Sequence, residues 1–94
     1  MKALFDNISF DCSKKLTKAF STSFSFSSRL LPPEQREAIY ATYSFVRVAD
    51  EIVDTYHDYP QEKLLDRLER NLNEALETRI STNPILNAFQ QTVY

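Results

Sequence analysis

Ninety-four residues, 43% hydrophobic and 26% charged, fit one small globular domain or part of a larger one and argue against a disordered chain. A net charge of −2 gives no electrostatic footing for nucleic acid. Glycine is absent, which excludes phosphate loops of the P-loop or dinucleotide-fold kind and favours helices over positive-φ turns.

The single Cys12 cannot form an internal disulfide, so a reducing cytoplasm is compatible with the chain. The first residues carry charges and no long apolar run, so no signal peptide is expected. Charges also interrupt every apolar stretch before it reaches membrane-spanning length. Peripheral contact with a membrane stays open.

Taken in order, Leu4, Phe5, Ile8, Cys12, Leu16, Ala19 and Phe20 repeat at near-helical spacing. They predict a first helix over most of 5–20, with Asp6 or Asp11 as its start signal. Residues 21–28 then alternate hydroxylic side chains with Phe24 and Phe26. Period-2 alternation suits a strand, but no partner strand pattern exists elsewhere and a lone strand is unstable. The expectation is an irregular or short helical segment whose hydroxyls face something polar. The alternative is a Ser-rich linker, which the two phenylalanines oppose because they need burial.

Pro33 suits a first helical position and Glu34 the positive helix end, so a long helix is expected from about Glu34 to His57. Pro60 disfavours helix at Tyr59 and stops it. His57, the only histidine, reads better as a polar residue near the helix dipole than as a ligand. Inside this helix Tyr43, Arg47, Asp50 and Asp54 fall at i, i+4, i+7 and i+11, which puts all four on one stripe. Around them lie Phe45, Val46, Val48, Ala49, Ile52 and Val53, so the helix is expected to be buried and to line a wet, charged cavity.

Two carboxylates one turn apart repel each other, and a divalent cation would remove that repulsion. Hard oxygen ligands suit Mg²⁺, which completes its shell with water and substrate phosphates. Arg47 has the planar fork that matches a pair of phosphate oxygens. Together these residues suggest a diphosphate substrate. The alternative is an internally neutralised Arg47/Asp50/Asp54 salt-bridge line on an ordinary solvated helix, and spacing alone does not decide between the two.

From Pro60 to about Arg79, Leu64, Leu65, Leu68, Leu72, Ala75 and Leu76 form one apolar stripe, as in an amphipathic outer helix. Asn83 and Pro84 are a strong restart signal, cap then first helical residue. A last helix through Ile85, Leu86, Ala88, Phe89 and Val93 is expected to run to the end at Tyr94.

The run from Ser21 to Asp54 is similar to the amino-terminal signature of the squalene/phytoene synthase family. The shared pattern is a Ser-x-Ser-Phe segment, then Leu-Leu-Pro, then Ala-x-Tyr-x-Phe-x-Arg-x-x-Asp-x-x-x-Asp. The resemblance implies an all-α isoprenoid synthase-type helical bundle, of which residues 1–94 would be the amino-terminal part. It implies an Mg²⁺-dependent transferase that joins two farnesyl or geranylgeranyl diphosphates head to head, through a cyclopropyl diphosphate, to squalene, dehydrosqualene or phytoene. By the same resemblance Asp50 and Asp54 would hold Mg²⁺, and Tyr43 and Arg47 would be catalytic. Phe20, Ser21, Thr22, Ser23, Tyr43 and Arg47 would surround the diphosphate.

Two departures qualify that expectation. Several bacterial relatives carry histidine where this chain has Phe20, and Glu51 stands where the second aspartate of an Asp-Asp pair is common. The family's second aspartate-rich motif lies beyond Tyr94 in sequence order, so the chain is expected to be an inactive amino-terminal fragment that tends to self-associate. A rival from another class is a non-catalytic helical relative that serves as an assembly or interaction module.

Overall fold

The computed structural model describes residues 1–94 as five helices and no strand: α1 (Lys2–Phe20), α2 (Thr22–Ser28), α3 (Pro33–Asp54), α4 (Gln61–Thr78) and α5 (Pro84–Val93). The all-α expectation holds. No helix is long and apolar enough to cross a membrane.

Helix α1 begins at Lys2, with Met1 as its N-cap residue, so Asp6 and Asp11 lie inside it and neither starts it. Asp6 instead bridges outward, 2.7 Å from Lys2 Nζ and accepting from Asn87 Nδ2 at 2.9 Å. The inward face of α1 also differs from the expected one. Leu4, Ile8 and Phe20 are about half exposed, whereas Ser9, Ser13 and Thr17 are fully buried. Each of these hydroxyls donates to the carbonyl one turn back, Ser9 to Phe5, Ser13 to Ser9 and Thr17 to Ser13. A small side chain satisfied by its own helix lets neighbouring helices approach closely without leaving an orphan polar group. Helix α1 packs against α5 and α3 along this stripe.

The serine-rich segment is helical. Ser21 caps α2 by accepting the Phe24 backbone N–H at 3.1 Å, and Ser25 and Ser28 are buried. Tyr40 of α3 reaches across to donate its hydroxyl to the Ser25 carbonyl at 3.5 Å. The expectation that both phenylalanines need burial fails: Phe26 is 69% exposed because no element covers that side of α2, and Phe24 is 36% exposed.

Helix α3 starts at Pro33 as expected and ends at Asp54, short of His57. The residue that closes it is Gln61, whose Nε2 donates to the carbonyls of Ile52 and Val53 at 3.0 Å each. His57 lies exposed in the following turn, beside Gln61. Helix α4 ends on Arg79 at φ 62°, the left-handed cap position that glycine usually takes and that this chain must fill without one. Helix α5 starts as the sequence signals: the Asn83 side chain accepts from the N–H groups of Ile85 and Leu86, with Pro84 first in the helix.

The molecule measures 38 × 31 × 19 Å. Its thinnest dimension holds only two helices of about 10–12 Å diameter. Its accessible surface is 6457 Å² for 11.0 kDa, against about 5,600 Å² expected of a compact monomer of this mass. The excess lies partly on α3, where Val46 and Val53 are 48% and 52% exposed. The expectation of a helix buried on all its apolar faces is therefore corrected. Tyr40, Ala41, Ser44 and Ile52 are buried, and the opposite side is open because two layers of helix cover it from one side only.

Candidate functional site

Helix α3 carries Tyr43, Arg47, Asp50 and Asp54 along one line, and the α1–α2 junction lies beside the first half of it. Phe24 of α2 stacks on Tyr43 with ring centroids 4.9 Å apart and an interplanar angle of 22°. Phe20, the last residue of α1, lies under Arg47, whose guanidinium carbon sits 4.9 Å from the ring centroid. These two aromatic contacts bring the residue pairs 20/47 and 24/43 together.

Arg47 forms an ion pair with neither aspartate. Its Nη2 is 3.0 Å from Glu51 Oε2, one turn further along α3, with both side chains roughly a quarter exposed (26% and 20%). The other oxygen of Glu51 accepts the hydroxyl of Thr55. The bond to Glu51 raises the Arg47 pKa above its usual value, against the desolvation of the guanidinium. The bond from Thr55, followed by that from Arg47, holds the Glu51 carboxyl below the ordinary carboxylate range. Arg47 Nε is buried and has no acceptor.

Asp50 and Asp54 are exposed and make no ion pair within the chain. Neither sequence reading of this stripe is met as stated. The pair is not sealed in a cavity, and Arg47 does not neutralise it, because Glu51 at i+4 takes the guanidinium first. As donors the two carboxylates suit Mg²⁺: hard oxygens, one turn apart, uncommitted to the fold. They supply part of a shell only, since no group of three His, Cys, Asp or Glu side chains converges anywhere in the chain.

Of the expected diphosphate contacts on the junction, Ser21 is committed to capping α2, while Thr22 and Ser23 are exposed. A cleft of about 340 Å³ opens between α1, α3 and α4, walled by Leu16, Val48, Ile52 and Leu68 and bordered by Arg47 and Glu51. A wider groove of about 1070 Å³ runs along the outer side of α4, but its walls are polar and charged throughout and shelter nothing from water. Sequence reasoning missed the roles of Glu51 and Thr55. Their signal was present, since Arg47, Glu51 and Thr55 repeat at i, i+4 and i+8, but that spacing is common on solvated helices.

Comparison with known proteins gives a family model described as squalene/phytoene synthase that matches residues 17–94. A presqualene diphosphate synthase of Zymomonas mobilis is 37% identical over 71 residues, 73% of this chain and 24% of that protein. A presqualene diphosphate synthase of Sinorhizobium fredii is 46% identical over 52 residues, 55% of this chain and 18% of that protein. A 4,4'-diapophytoene synthase of Staphylococcus haemolyticus is 32% identical over 68 residues, 72% of this chain and 22% of that protein. The chain thus spans about a quarter of these relatives' length or less. No solved structure matches.

Proposed function

This chain belongs to the squalene/phytoene synthase family, and we propose that it contributes the first diphosphate-binding face of an enzyme that joins two prenyl diphosphates head to head. The observation that carries the reading is the contrast on α3: Asp50 and Asp54 lie one turn apart, exposed and uncommitted, beside an arginine held ready on the same helix. In this reading Asp50 and Asp54 hold Mg²⁺, which when bound neutralises the diphosphate leaving group. Arg47 and Tyr43 bind and orient phosphate oxygens. Thr22 and Ser23 offer hydroxyl donors from the neighbouring junction, and Phe20 presents a flat face beneath Arg47. The coupling runs through a cyclopropyl diphosphate, with farnesyl or geranylgeranyl diphosphate as substrate.

Calorimetry tests the metal half of the proposal. The bare chain should bind Mg²⁺ weakly, because two carboxylates leave most of an octahedral shell to water. Adding inorganic diphosphate should strengthen binding, and Asp50→Asn should remove the gain. Tight Mg²⁺ binding that survives Asp50→Asn would sink the assignment.

A second reading, a non-catalytic module that works by association, is favoured by the apolar surface left open at Val46, Val53 and Leu30, the last 90% exposed. Light scattering that shows stable self-association, together with no response to diphosphate, would select it.

A further inference from the structure

We propose that Glu51, itself held by Thr55, is a positioning residue that orients Arg47 for a phosphate group and is not a third carboxylate for the metal. The inference rests on the diphosphate reading above and assigns a residue which that reading leaves without a role. Both oxygens of Glu51 are committed inside the chain, Oε2 to Arg47 Nη2 at 3.0 Å and Oε1 to the Thr55 hydroxyl. Asp50, the adjacent residue, makes no ion pair, so two neighbouring carboxylates on α3 divide between positioning and binding.

Three contacts define where the guanidinium sits. Glu51 holds one terminal nitrogen, the Phe20 ring lies 4.9 Å beneath the central carbon, and Thr55 fixes the carboxylate from the far side. An arginine side chain left free would have to be ordered at the moment of binding, whereas a planar fork already held loses less rotamer freedom per bond formed. The clamp also leaves donors without acceptors. Nε is buried and unpartnered, as are Arg36 Nε and Gln91 Nε2 elsewhere in the chain, but it alone of the three lies beside Asp50 and Asp54 on the stripe of α3. An incoming phosphate oxygen is the kind of acceptor that would satisfy it.

The Nη2–H resonance of Arg47, the group that carries the bond to Glu51, reads this directly in the isotope-labelled 94-residue chain. It should be followed in the wild type, Glu51→Gln, Thr55→Val and Thr55→Ser, first alone and then with inorganic diphosphate and Mg²⁺. Without ligand, hydrogen exchange at this group should speed up about tenfold or more in Glu51→Gln, on loss of one charge-assisted bond. It should speed up less in Thr55→Val and stay at the wild-type rate in Thr55→Ser, which keeps the hydroxyl. Diphosphate affinity should fall in the same order, roughly tenfold for Glu51→Gln, with helix content unchanged.

An Arg47 resonance indifferent to Glu51→Gln would overturn the proposal. So would diphosphate binding to Glu51→Gln as tightly as to the wild type or more tightly, because Glu51 would then compete with the anion. If the wild-type chain binds no diphosphate, the functional reading is what fails, and the ligand-free resonance still decides whether Glu51 sets the position of Arg47.

Discussion

At the seam between α1 and α5, Asn87 is fully buried and every bonding site of its amide is filled. Its Nδ2 donates to Asp6 Oδ1 at 2.9 Å and to Ser9 Oγ at 3.1 Å, and its Oδ1 accepts from Ser81 N at 3.2 Å and Gln90 Nε2 at 3.3 Å. On the outer side of α3 the opposite holds. Asp50 and Asp54 form no ion pair, and Arg47 keeps a buried nitrogen with no acceptor. The difference separates polarity that builds the fold from polarity withheld for something outside it. Buried donors and acceptors left open weaken a small domain, so a face that keeps them open is a candidate for binding.

The sharpest way to break the comparison is to empty the seam. Asn87→Ala takes away the acceptor of Ser81 N and Gln90 Nε2 and one partner each from Asp6 and Ser9, which keep Lys2 and the Phe5 carbonyl. At about 1–3 kcal/mol for each buried group left unsatisfied, the loss should reach roughly 2 kcal/mol or more. Urea denaturation followed by circular dichroism would measure it, and an unchanged midpoint would mean that water serves the seam as well as Asn87 does.

Arg47→Lys probes the other region. Lysine keeps the charge but loses the planar fork, so affinity for inorganic diphosphate with Mg²⁺ should drop about tenfold, or ~1.4 kcal/mol, with little change in stability. Equal affinities by calorimetry would place Arg47 among the residues that serve the fold.

Acid should weaken the seam at Asp6. Hydrogen bonds from Lys2 and then Asn87 hold the Asp6 carboxyl below its ordinary value of 3.8, against the effect of burial. A carboxyl depressed on folding adds stability that is fully present above its unfolded pKa and is lost as pH falls through the folded one. Unfolding midpoints should therefore fall below about pH 4, and Asp6→Asn should flatten that part of the profile. A variant that keeps the full acid dependence would assign it to other carboxylates.

The smallest expected effect is the most discriminating. Asp50→Asn and Asp54→Asn should each change stability by less than about 0.5 kcal/mol, because no fold contact depends on either carboxylate. A clear loss in thermal melts would show that the pair is structural after all.

The sequence carried the helices and much of the site because both depend on local spacing. The Asn83–Pro84 start of α5 and the Tyr43–Arg47–Asp50–Asp54 line each follow from residues within a few turns of one another. The inward face of α1 was illegible for a physical reason. Hydrophobic periodicity points to Leu4, Ile8 and Phe20, whereas the buried stripe is made of hydroxyls that satisfy themselves on their own helix and leave no apolar signal. The end of α3 was misplaced because the group that closes it, Gln61, comes from the next helix. The Arg47–Glu51 contact was hidden by competition: three carboxylates lie within two turns of one arginine, and sequence spacing does not rank them.

The makeup of the buried set has a thermal consequence. Of 14 buried residues, six are hydrophobic and eight are polar. On unfolding, newly wetted apolar surface raises the heat capacity by about 0.45 cal/K/mol per Å², while polar surface lowers it by about 0.26. The two contributions partly cancel here, so the heat-capacity increment should fall below the usual ~12–15 cal/mol/K per residue. A small increment flattens the curve of stability against temperature. This chain should then change little in stability on cooling or mild warming, and its melting transition should be broad and shallow in enthalpy.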